Sequence, residues 1–248
     1  MTVTKPLHEK VAIVTGGSRG IGAAIVRRLA ADGAAVAFTY ANSSEKADAI
    51  VAEIEGSGGK ALAIKADSAD AAALRKAIDR AVDHFGALDI LVNNAGILLL
   101  NKLEDFPLED FDRMFAVNVR AVFAGTQAAA RHMHEGGRII TIGSVVADRS
   151  GFPTSSVYSM TKGAVAAMTR GLARDLGPRG ITVNTIQPGP TETDMNSDPA
   201  SHEMLKGLMA LGRLGEDREI AGLAAYLASP EAAFITGASL TIDGGYLA

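Results

Sequence analysis

Short apolar runs alternate with longer helical patterns along the whole chain, and this alternation constrains the fold more than any other feature. Runs of four to seven largely apolar residues suit strands buried on both faces, and helices between them supply the cover, so repeated βα units and a parallel sheet are expected. Strands are expected over residues 11–15, 35–40, 60–65, 90–93, 138–143, 182–187 and 239–242, and helices over 21–32, 44–57, 70–85, 108–132, 154–176 and 216–228. Right-handed crossovers between such units give an open, doubly wound α/β sheet. Binding then falls at the carboxyl ends of the strands.

The chain has 248 residues, 48% of them hydrophobic, which fills one sizeable core and predicts a single domain over 1–248. With 27 glycines, no Trp and only 5% aromatics, small side chains favour close packing of helices on a sheet. The net charge is -4 with the two signs interspersed, which argues against a nucleic-acid partner. The absence of cysteine excludes disulfides, thiolate metal sites and a cysteine nucleophile. His132 and His134 stand at the end of a helical stretch before Gly136-Gly137, where positive side chains suit a helix C-terminus, so no metal is expected. The first ten residues carry no signal-peptide core and no apolar run reaches membrane-spanning length, so a cytoplasmic protein without membrane contact is expected.

The first βα unit carries a phosphate seat. Lys10 to Thr15 reads as a buried strand, Gly16-Gly17-Ser18-Arg19-Gly20-Ile21-Gly22 as a glycine turn, and Ala23 to Ala30 as a helix. Gly16 permits the tight turn, Gly20 lets the backbone approach a pyrophosphate, and Gly22 lets helix and strand pack closely, with the helix N-terminus facing the anion.

A second constellation lies downstream. Tyr158 and Lys162 share a helix face at i, i+4, and Ser144 ends the apolar run of residues 138–143. An ammonium beneath a phenol favours the ionised form, so Lys162 is expected to lower the Tyr158 pKa while the Ser144 hydroxyl holds a carbonyl oxygen.

The Thr-Gly-x-x-x-Gly-x-Gly spacing at Thr15 to Gly22, Asn93-Asn94-Ala95-Gly96, Ser144 and Tyr158-x-x-x-Lys162 together resemble the short-chain dehydrogenase/reductase family over nearly the whole chain. The likeness is strongest to bacterial 3-oxoacyl carrier-protein reductases and carbonyl reductases. It implies a Rossmann-type sheet and reduction of a carbonyl by hydride from a nicotinamide, with Tyr158 as proton donor and Ser144 on the developing alkoxide. Asp67 would then meet the adenine, Asn94 and Gly96 the nicotinamide side, and Pro188, Gly189 and Thr191 the ring and its amide. Lys162 would also bind the ribose, and Asn118 would hold a water linking Lys162 to solvent. Ser18, Ile21, Tyr40, Ser68 and Ala95 join the same cofactor set.

No carboxylate stands about 20 residues beyond the glycine turn, in Phe38 to Ser44, so nothing there repels a 2′-phosphate. Arg19 offers a cation and Asn42 and Ser43 or Ser44 offer hydrogen bonds, which predicts NADP (NADPH) over NAD. Leu98, Leu99, Val145, Val146, Phe152 and Met195 suggest an apolar, uncharged small-molecule carbonyl substrate, and residues 190–211 a lid. The helix over 154–176 is apolar on more than one stripe, and family resemblance adds a homotetramer using it and the helix carrying Phe111, Phe115, Val119 and Val122. A second reading is a regulatory protein on the same fold. Ile142 to Val145, Asp148-Arg149 and Gln187 to Asp194 resemble a bacterial branch of the family that includes cyclic di-GMP binding in biofilm dispersal, whereas the intact Ser144, Tyr158 and Lys162 favour catalysis.

Overall fold

In a computed structural model, the structure describes residues 5–194 and 199–248, without the side chains of 199–201. In chain order it comprises β1 (Val11–Val14), α1 (Gly20–Ala31), β2 (Ala35–Tyr40), α2 (Ser44–Gly56), β3 (Lys60–Lys65), α3 (Ala71–Phe85), β4 (Ile90–Asn93), α4 (Leu108–Phe115), α5 (Ala121–Ala129), β5 (Arg138–Ile142), α6 (Ser156–Leu176), β6 (Thr182–Pro188), α7 (Pro199–Lys206), α8 (Asp217–Ala228) and β7 (Ser239–Ile242). The sheet order is β3-β2-β1-β4-β5-β6-β7, every pair parallel, as in a Rossmann-type fold. All seven expected strands are present.

Alternation along the strands separates two cores. Ala12, Val14, Ile140 and Ile142 point to one face, beneath Ile25 and Leu29 of α1, Ile50 of α2 and Leu227 of α8. Ile13, Leu91, Ile139 and Val183 point to the other, beneath Leu74 and Ile78 of α3, Ala129 of α5 and Leu176 of α6. The chain winds outward from β1 to β3, then returns to start β4 on the other side of β1. Loops therefore diverge above β1 and β4, which opens a crevice there.

One expectation needs correction. Residues 108–132 do not form a single helix: a π-helical turn, Ala116–Arg120, separates α4 from α5, and regular helix ends at Ala129. The Asn118 side chain gives the physical reason. Its Oδ1 accepts from the Ile97 N–H (2.9 Å), and its Nδ2 donates to Ile97 O (2.9 Å) and Thr161 Oγ1 (3.1 Å). Three hydrogen bonds to two segments, at Ile97 and Thr161, hold an extra residue in the turn, as in π-bulges generally. Among the described residues no helix is long and apolar enough to cross a membrane.

Candidate active site

The carboxyl ends of the strands border one elongated cleft of about 630 Å³. At one end β1 runs into the glycine turn. Gly16, with φ of 66°, turns the chain sharply. Its N–H donates to Thr39 Oγ1 (3.0 Å) and that of Gly17 to Thr39 O (2.8 Å), fastening the turn to β2. Helix α1 follows Arg19 with no side chain capping its first turn, so orphan amides border the cleft beside Ser18 and Gly20. A Cβ on Gly22 would run into the Gly16 carbonyl oxygen and the Asn94 amide. These features fit a dinucleotide pyrophosphate.

Asn94 borders the cleft, but its side chain braces the turn. Nδ2 donates to the carbonyl oxygens of Thr15 (2.9 Å) and Gly16 (3.0 Å), and Thr15 Oγ1 accepts from the N–H groups of Asn94 and Ala95, both at 3.0 Å. Asp67 Oδ1 accepts from the Ala69 N–H at 2.9 Å, and Oδ2 lies 3.3 Å from an Arg113 guanidinium nitrogen. The cap of α3 is Asp70, not Asp67.

At the other end stand Ser144, Tyr158 and Lys162. Ser144, after β5, stands beside the Tyr158 hydroxyl on the cleft wall, and its Oγ accepts from the Val146 N–H at 3.3 Å. Thr161 Oγ1 donates to the Tyr158 carbonyl (2.7 Å), which ties the helix turn carrying the phenol to Asn118. Lys162 is 6% exposed; its Nζ donates to Ile142 O (2.9 Å) and lies 5.6 Å from the centre of the Tyr158 ring.

The ammonium thus meets the face of the ring, and the expected lowering of the phenol pKa does not hold. Burial pushes Tyr158 up to about 12, against a smaller lowering by the Ser144 hydrogen bond. A phenol so placed keeps its proton at neutral pH, which suits a proton donor. Burial also lowers Lys162 to about 8. At Lys162 the folded state therefore binds fewer protons than the unfolded chain between pH 8 and 10.5, and this group's contribution to stability rises with pH through that window. From about pH 7.5 to about pH 9.5 the burial penalty should shrink by about 2 kcal/mol. Urea unfolding of wild type and Lys162→Met at both pH values reads this as a change in their stability difference; a constant difference would show that burial does not lower the Lys162 pKa.

Every cofactor residue named from the sequence, from Gly16 to Thr191, borders this cleft, as do Ser144, Tyr158 and Lys162. Asn118 lies behind it, near enough that a Cβ on Gly96 would stand 3.5 Å from Asn118 Oδ1 and 3.7 Å from Lys162 Nζ. Of the expected substrate residues, Leu98, Val145, Val146 and Phe152 line the cleft and Leu99 does not, while Met195 lies outside the described residues. Thr193, Asp194 and Leu205 of the expected lid also line it, as do Ile97, Arg113 and Tyr246, which the sequence did not single out. Tyr246 had a signal: Asp243 Oδ1 and Oδ2 accept from the N–H groups of Gly245 and Leu247, both at 2.9 Å, and this turn folds the chain back so that Tyr246 packs with Val145 and Met209. His132 pairs with Asp79 at 2.9 Å, away from the cleft.

A family model described as enoyl-(acyl carrier protein) reductase matches residues 16–247. The structure resembles a short-chain dehydrogenase/reductase from Serratia marcescens BCRC 10948, with 61% identity and a TM-score of 0.96 over 98% of this chain and 100% of that one. A short chain dehydrogenase from Burkholderia cenocepacia J2315 in complex with NADP is 54% identical, with a TM-score of 0.96 over 98% and 100% of the two chains. A cyclic-di-GMP-binding biofilm dispersal mediator protein of Escherichia coli K12 is 48% identical over 96% of this chain and 97% of its own length. With this likeness spanning the full length of its relatives and the expected motifs gathered on one cleft, the chain belongs to the short-chain dehydrogenase/reductase family of oxidoreductases.

Proposed function

We propose that the protein is an NADP(H)-dependent reductase of an apolar, uncharged ketone. The observation that carries this reading is the meeting of Ser144, Tyr158 and Lys162 in the same cleft as the glycine turn, with the Lys162 ammonium over the Tyr158 ring. Gly16, Ser18, Gly20 and the first amides of α1 would hold the pyrophosphate, and Arg19, Asn42 and Ser43 the 2′-phosphate, in keeping with the NADP found in the Burkholderia relative. When bound, the reduced nicotinamide supplies hydride to the carbonyl carbon.

The chain's residues do the rest. Ser144 Oγ orients the carbonyl oxygen and stabilises the charge developing there. Tyr158 gives its hydroxyl proton to that oxygen, completing the alcohol. Lys162, mostly charged at pH 7 and held by Ile142 O, stabilises the phenolate left behind and is placed to bind the ribose hydroxyls. Leu98, Val146, Phe152 and Tyr246 offer the carbonyl compound an apolar wall. Residues 190–211 would cover the bound ligands; among the described ones, Thr191, Thr193, Asp194 and Leu205 border the cleft.

The homotetramer belongs to the same proposal. Met160 on α6 and Phe123 on α5 are 45% and 49% exposed, large apolar side chains on the two helices expected at the interface. A second reading, cyclic-dinucleotide binding, draws on the 48% identity with the Escherichia coli protein. Following NADPH oxidation against a panel of ketones, beside a cyclic di-GMP titration, separates the two. Turnover of an apolar ketone is expected. Cyclic di-GMP binding with no turnover of any ketone would replace this reading with the second.

A further inference from the structure

The connection that leaves β6 crosses back over the glycine turn. The Glu192 N–H donates to Gly215 O and the Gly215 N–H to Pro190 O, both at 2.9 Å, which pins this stretch to the loop before α8. Thr193 then sits over the glycine turn, since a Cβ on Gly20 would lie 3.6 Å from its side chain. The next residue, Asp194, reaches two cations from two other elements. Its Oδ2 lies 3.4 Å from Lys46 Nζ in the first turn of α2 and 3.9 Å from an Arg19 guanidinium nitrogen before α1. Arg19, Asn42, Ser43 and Asp194 line the cleft, and Lys46, which does not, meets it through Asp194. Two cations that converge on one carboxylate oxygen are also spaced to converge on one phosphate oxygen.

We infer that Lys46 and Asp194 set the choice between NADPH and NADH, with Lys46 as a second cation for the 2′-phosphate and Asp194 as a carboxylate that holds the phosphate's place until NADPH displaces it. The inference rests on the NADP(H) reading above. NADH carries no 2′-phosphate and leaves the Asp194 contacts intact, so it gains nothing from their loss. NADPH exchanges one charge on the two cations for nearly two, and gives up part of that gain in expelling Asp194. All three side chains are more than half exposed, so salt screens the contest and keeps its size modest.

The test is fluorescence titration of wild type, Asp194→Asn and Lys46→Ala with NADPH and with NADH, at low and high salt. Asp194→Asn should bind NADPH about 3- to 10-fold more tightly at low salt, with the gain shrinking as salt rises and NADH affinity constant within about twofold. Lys46→Ala should weaken NADPH binding by a similar factor and spare NADH. Equal changes for the two dinucleotides, or no change at low salt, would overturn the inference and leave the cofactor reading standing. A wild-type protein that fails to bind NADPH would overturn both.

Discussion

Tyr158→Phe should bind NADPH as wild type does and lose about 10²- to 10⁴-fold in kcat, the range ascribed to a positioned general acid. The substitution removes one oxygen and leaves the ring that Lys162 overlies at 5.6 Å, so the lysine keeps its place and its bond to Ile142 O. What disappears is the phenolic proton beside Ser144 in the cleft. Steady-state kinetics on a ketone substrate together with an NADPH titration give the two numbers. Turnover near the wild-type rate would remove Tyr158 from the chemistry, and a parallel collapse of NADPH affinity would show that the hydroxyl serves binding instead.

Gly22→Ala should cost about 3 kcal/mol of stability and at least about 100-fold in NADPH affinity. Its Cβ has no free space: the Gly16 carbonyl and the Asn94 amide occupy the position it would take. To admit it, α1 must move off β1 or Asn94 must release the carbonyls of Thr15 and Gly16, leaving buried polar groups unpaired. Either movement pulls the first amides of α1 away from the anion they are placed to bind. Urea unfolding measures the first loss and titration the second. Gly171→Ala in the middle of α6 is the control, because its Cβ would meet nothing within 4 Å and helix propensity favours the change. A Gly22→Ala protein as stable as the control and with wild-type affinity would mean that the turn is not the phosphate seat.

Much of this architecture was legible in the sequence because its signals are local. Apolar runs such as Val11–Val14 and Arg138–Ile142 mark strands through patterns a few residues long, and strand, glycine turn and helix follow one another directly at Val11 to Ala31. Since strand ends in such a sheet share an edge, placing Asn94, Ser144 and Pro188 after their strands already brought them together. The break in the helix at Ala116–Arg120 was not legible, because residues 108–132 carry an unbroken helical pattern and the cause is Asn118 reaching Ile97 and Thr161. Thr193 and Asp194 fell within the expected lid, but their place over the glycine turn is set by bonds to Gly215, more than twenty residues further on, whereas Tyr246 follows a local turn at Asp243.

The sequence alone determined the doubly wound sheet, because periodicity acts over a turn or a strand, and its motifs together with the family resemblance pointed to the glycine turn, Ser144, Tyr158 and Lys162 that one cleft brings together. Only the tertiary structure decided how those groups are tuned. Lys162 lies over the Tyr158 ring rather than at its oxygen, so burial outweighs charge and the phenol rises to about 12 instead of falling. Asp194 meets Lys46 across 148 residues of chain. Desolvation and through-space charge depend on what folding brings within a few ångströms, and that distance is not written in the spacing of residues along the chain.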